Sequence, residues 1–151
     1  MYFRVLYFTC TSSGEEPAMP AISRMYFRVA VAFLIVGILV GLHMSISQNH
    51  QAVGAHAHIN LLGWVTMSIF GAYHALNPET AETRLAKLQF YVYTVGVIVM
   101  APSLYLLLTG SPAMEPIVAI ASIIVFVGVL MFGAIVLRAP KKVHTGLQPA
   151  E

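Results

Sequence analysis

Six histidines are the residues of this chain best equipped for chemistry, and four of them crowd into one short stretch: His43, His50, His56 and His58. Imidazole is the commonest nitrogen ligand for metals and haem iron. It is also costly to place near lipid, so a histidine inside an apolar helix raises the expectation of a ligand. The segment Gly54-Ala55-His56-Ala57-His58-Ile59-Asn60-Leu61-Leu62-Gly63-Trp64 opens a long apolar run on two such residues. At ~100° per residue, His56, Asn60, Gly63, Met67 and His74 fall on one face of a helix, and His58, Leu61, Leu62, Val65 and Ile69 on the other. The two histidines therefore serve different surroundings, one the interior and the other an interface or a neighbouring chain.

For His58 the two readings are an axial haem ligand and an interfacial histidine bonded to a backbone carbonyl. His56 reads as a solvated residue at the helix start, or as support for a haem beside it. His43 lies near the outer end of the preceding apolar run, at about the depth of His58, and the pair would hold one haem b between two helices. His50 reads as a loop residue, His74 as a snorkelling residue at the opposite boundary, and His144 as part of the tail. A zinc site from His43, His56 and His58 lacks both the His-x-x-x-His spacing of a helical site and a carboxylate to orient the ligands. Met44 and Met67 read as packing residues.

The elements that must position these side chains are membrane helices. The chain has 151 residues, of which 58% are hydrophobic and 9% charged, against roughly 25% charged in a soluble domain. A soluble enzyme is excluded on that ground, and no basic patch with interleaved aromatics favours nucleic acid. Four runs approach the roughly 20 residues that cross a bilayer: Phe27 to Ile46, Ala57 to Leu76, Leu88 to Leu108 and Pro116 to Leu137. Short links between them predict an all-α, polytopic membrane protein, an antiparallel bundle of four transmembrane helices over residues 25–138. Gly37, Gly41, Gly63 and Gly71 suit close helix contact, within one chain or between copies. Residues 1–24 read as a disordered extension without the pattern of a signal peptide, and 139–151 as a cytoplasmic tail. The lone Cys10 excludes an internal disulfide, and no Cys-x-x-Cys-His occurs, so any haem is held non-covalently.

All eight basic residues fall on one side of this topology. Arg4, Arg24 and Arg28 precede the first span, Arg84 and Lys87 separate the second and third, and Arg138, Lys141 and Lys142 follow the fourth. The positive-inside rule puts both termini in the cytoplasm and the histidine cluster on the outer side; a bacterial inner membrane is the expected location. The spans carry no carboxylate, which argues against a proton pump or an ion-coupled transporter of the usual kind.

The second span adds a resemblance. His58-Ile59-Asn60-Leu61-Leu62 with Trp64, then Phe70-Gly71-Ala72-Tyr73, then Leu76-Asn77-Pro78-Glu79, is similar to the second helix of the catalytic subunit in the nitric oxide reductase branch of the haem–copper oxidase superfamily. The likeness covers that helix only. It implies that His58 is an axial ligand of a low-spin haem b facing the outer side. Asn60 and Trp64 then stand near the porphyrin, with His56 in support. The family's remaining haem and metal ligands lie on later helices, and no later span here contains a histidine. One copy therefore lacks a binuclear centre, and what the resemblance implies is electron transfer by a small stand-alone haem b protein. The sixth ligand is then His43, or His58 of a second copy in a homo-oligomer. Two other readings stand beside it: a non-haem accessory or assembly subunit of a respiratory complex, and an outer-facing metal-binding or redox-sensing protein built on His43, His50, His56 and His58.

Overall fold

A computed structural model describes residues 19–138; the expected tail and the first part of the expected extension lie outside the described residues, as do Cys10 and His144. Among the described residues, four helices are long and apolar enough to cross a membrane. They are α1 (Ala21–Ser47), α2 (Val53–Leu76), α3 (Arg84–Leu108) and α4 (Glu115–Arg138). No strand occurs among the described residues, and residues 19–138 form an all-α antiparallel bundle.

Each helix begins before its apolar run does. Polar first turns sit outside the hydrophobic stretch yet still propagate the helix. α1 starts at Ala21, so the extension expected over residues 1–24 ends earlier: Ile22 and Ser23 are already buried. α3 starts at Arg84 because Thr83 caps it, its Oγ1 accepting from the Ala86 amide at 3.1 Å. The ends are equally local. Gln48 closes α1 in the left-handed region at φ 54°. Pro78 stops α2 after Asn77 and opens a single turn, Pro78–Ala81. Gly110, at φ 109°, turns the chain after α3 into the 3-10 turn Pro112–Met114.

α1 and α2 pack in a regular antiparallel register. Gly41 lies against His56, Gly37 against Asn60, Phe33 against Gly63 and Tyr26 against Gly71. A Cβ at Gly37 would stand 2.5 Å from the Asn60 amide oxygen, and one at Gly63 would enter the Phe33 ring. The glycines thus serve contacts within the chain, where dispersion rather than hydrophobicity holds helices together in lipid. Gly96 and Gly128 do the same between α3 and α4, against Val125 and Tyr93.

α2 and α3 are the more buried pair, and α1 and α4 flank them. The core joins Tyr26 and Ala30 of α1, Met67 and Phe70 of α2, Phe90, Tyr93 and Val97 of α3, and Val125 of α4. Phe70 and Phe132 stack with ring centroids 4.0 Å apart, which ties α4 to α2. The remaining faces of α1 and α4 expose Ile35, Leu39, Ile123, Phe126 and Leu130, as lipid contact requires.

Candidate functional site

α2 is not a uniform α-helix. From Ile59 to Thr66 it widens into a π-helical stretch, with ordinary α-helix on either side. Such segments need extra support for their carbonyls and recur at functional sites. Here the Thr66 hydroxyl donates to the Leu61 carbonyl at 2.8 Å, and the Tyr93 hydroxyl, from α3, to the Leu62 carbonyl at 3.1 Å. The wide stretch begins immediately after His58.

His58 is exposed, on the face it shares with exposed Leu61, Val65 and Ile69. Its Nδ1 lies 2.7 Å from the Gly54 carbonyl oxygen. A carbonyl only accepts, so Nδ1 carries the proton and the Nε2 lone pair points away from its own helix. This is the tautomer that metal-ligating histidines adopt when a backbone carbonyl orients them. The chemistry of this donor fits a haem iron or another soft-to-borderline metal.

His56 is turned the other way. It is half-buried between α1 and α2, with Nδ1 2.9 Å from the Gly37 carbonyl oxygen and its ring against Gly41. The solvated helix-start reading therefore gives way to a packing residue, because α1 covers this face. Asn60 joins it: its Nδ2 donates to the His56 carbonyl at 2.9 Å, and its amide fills the notch at Gly37. Trp64 is half-buried and packs against the core. His43 is exposed near the end of α1, and by the helix register it stands level with Gly54, about one turn or ~6 Å beyond His58. The tight contact of His56 with Gly41 fills the space between α1 and α2 at that level. His50 is an exposed linker residue.

Among the described residues no three His, Cys, Asp or Glu side chains gather into a group able to hold a metal ion. The physical reason is visible at the cluster itself: His56 faces α1 while His58 faces outward.

A second polar set lies at the opposite, basic end, and it is fully enclosed. His74, expected as a snorkelling residue, is buried, because Tyr26 stacks on its ring at 6.0 Å and Phe132 covers its edge at 6.2 Å. Its Nδ1 is 3.0 Å from Thr80 Oγ1, and that hydroxyl donates to the Asn77 carbonyl at 2.7 Å. One hydroxyl has one proton, so His74 Nδ1 is the donor and Nε2 is an unprotonated, buried acceptor without a partner. Close by, the Tyr26 hydroxyl donates to Gln89 Oε1, Gln89 Nε2 donates to the Gly128 carbonyl at 3.3 Å, and Ser23 Oγ donates to the Gly71 carbonyl at 2.7 Å. Ser23, Tyr26 and Gln89 were not singled out by the sequence. Gln89 was open to notice, as an uncharged polar residue just inside the third apolar run.

No known protein family, curated protein or solved structure matches the chain.

Proposed function

We propose that the chain is a membrane b-type haem protein of electron transfer, similar in its second helix to the catalytic subunit of the nitric oxide reductase branch of the haem–copper oxidases. The observation that carries this reading is the orientation of His58: Nδ1 is tied to the Gly54 carbonyl, and Nε2 is presented on an exposed apolar face. His58 would hold the iron. A second ligand would come from His58 of a second copy in a symmetric homo-oligomer, or from His43. The first is favoured because His58, Leu61, Val65 and Ile69 form one outward face, which two copies related by a twofold axis can share. Bound there, haem supplies a one-electron couple. The chain supplies the ligand, its orientation and an apolar wall that sets the potential.

The charge pattern supports a bilayer orientation with both termini in the cytoplasm and His58 on the outer side; a bacterial inner membrane is the setting proposed with it. His56, Asn60 and Trp64 act through α2: they lock it against α1 and the core rather than touching the haem. The test is the optical spectrum of protein purified from haem-sufficient cells. A Soret band and a reduced-minus-oxidised α band are expected, both lost in His58→Ala and retained in His56→Ala. Protein without a Soret band overturns the proposal, and a spectrum indifferent to His58→Ala moves the ligand elsewhere.

One observation favours a second reading, a non-haem accessory subunit. His56, Asn60 and the glycines of α1 account for this part of the helix by packing alone. Co-purification with a larger respiratory complex, without haem, distinguishes it.

A further inference from the structure

α1 and α3 do not close on each other. Between them runs an apolar trough whose floor is Ile59 of α2. At one end it is bordered by Val40 and Tyr105, with a volume of about 470 Å³. Phe33, Val36 and Ile98 continue into a second stretch of about 380 Å³ that ends at Ala32 and Arg28. From Arg28 to Val40 the trough follows α1 for ~18 Å at ~1.5 Å per residue.

Its shape selects its occupant. A helix of ~10 Å diameter and this length fills on the order of 1,400 Å³, more than the two stretches together offer. A single extended hydrocarbon chain fits within that volume and along that length. The only charge on its border is Arg28, exposed and without an acidic partner among the described residues. A guanidinium at the end of an apolar run calls for an anion, and its planar donors match a phosphate in bidentate fashion. The unfavourable placement of an unpaired cation beside hydrocarbon is relieved by the same contact.

We infer that this trough binds one anionic phospholipid, with an acyl chain lying between α1 and α3 and the phosphate on Arg28. The site is independent of His58, which faces away from α1 and stands on the exposed face of α2. It needs no particular orientation of the protein, only that Arg28 lies at headgroup depth.

The test is native mass spectrometry of the detergent-purified full chain, titrated with phosphatidylglycerol and with phosphatidylcholine of the same chain lengths. One phosphatidylglycerol per chain is expected, bound about fivefold more tightly than phosphatidylcholine, the effect of one basic residue on an anionic lipid. Arg28→Gln brings the two lipids level. Ala32→Phe, which fills the trough beside Arg28, weakens both. Both positions are exposed, so neither change disturbs the core, and an unaltered circular dichroism spectrum verifies that. Equal binding of the two lipids by the unmodified chain overturns the inference. So does a preference that survives Arg28→Gln, or tighter binding of an uncharged isoprenoid quinone than of phosphatidylglycerol.

Discussion

Tyr26 and Gln89 offer the sharpest test of how this bundle is held together. Both side chains are fully buried, and the phenol donates to the Gln89 carbonyl oxygen while the Gln89 amide donates onward to Gly128. Three helices, α1, α3 and α4, meet in that one chain of bonds. Tyr26→Phe removes the donor but keeps the ring stacked on His74 and edge-on to Phe90. What it leaves is a buried amide oxygen with no donor, a loss of about 1–2 kcal/mol. Gln89→Leu strands the phenol hydroxyl instead and loses the tie to α4, so its single effect is the larger. In the double variant neither polar group is left behind. The two changes therefore cost less together than their sum, by roughly 1 kcal/mol, within the range of interhelical bonds measured in membranes. The assay is unfolding in mixed micelles of increasing denaturing detergent, followed by far-ultraviolet circular dichroism and by the fluorescence of Trp64, the single tryptophan. If the double variant equals the sum of the singles to within about 0.3 kcal/mol, the bond carries no coupling and the reasoning fails.

Other expectations are as direct. Gly63→Val drives side-chain atoms into the Phe33 ring and destabilises the bundle by about 1–3 kcal/mol; Phe33→Ala in the same chain recovers part of the loss in the same unfolding assay, and no recovery would contradict the contact. Nitrogen-15 NMR of His74 shows the proton on Nδ1 and none on Nε2, and an Nε2-bound proton would contradict the Thr80 network. Thr66→Val together with Tyr93→Phe removes both hydroxyl donors to the π-helical carbonyls and costs roughly 1 kcal/mol per bond. Amide exchange over residues 59–66 should rise in that variant, and unchanged protection would show that the wide stretch needs no such support.

Composition and turn residues make the four spans legible in the sequence, because lipid leaves a chain few alternatives to helices. Simple helical phase also separated His56 from His58 correctly, since the wide stretch begins only after both. The helix starts were less legible: Ala21–Arg24 and Arg84–Lys87 are helical despite their charge, and hydropathy does not record caps such as Thr83. Nothing in Ile59–Thr66 marks a π-helix, because its supports include Tyr93, a residue of another helix. His74 looked like a boundary residue because its covers, Tyr26 and Phe132, arrive from α1 and α4. A single sequence shows which residues share a face, but not which distant ring will close over it.

The π-helical stretch has a consequence for how α2 tolerates change in length. It is a place where the helix holds slack: the residues before it and after it keep separate angular settings. Deleting one residue between Ile59 and Thr66 would let ordinary α-helical bonding run through and leave the Gly54–His58 turn nearly in its present setting, because eight residues at about 85° wind about as far as seven at about 100°. A second deletion finds no slack left and would rotate that turn by about 100°: His58 would leave the exposed face and His56 would leave Gly37, with every other residue of the chain unaltered. The direction in which the imidazole points is thus encoded by the number of residues in one helix as much as by their identity.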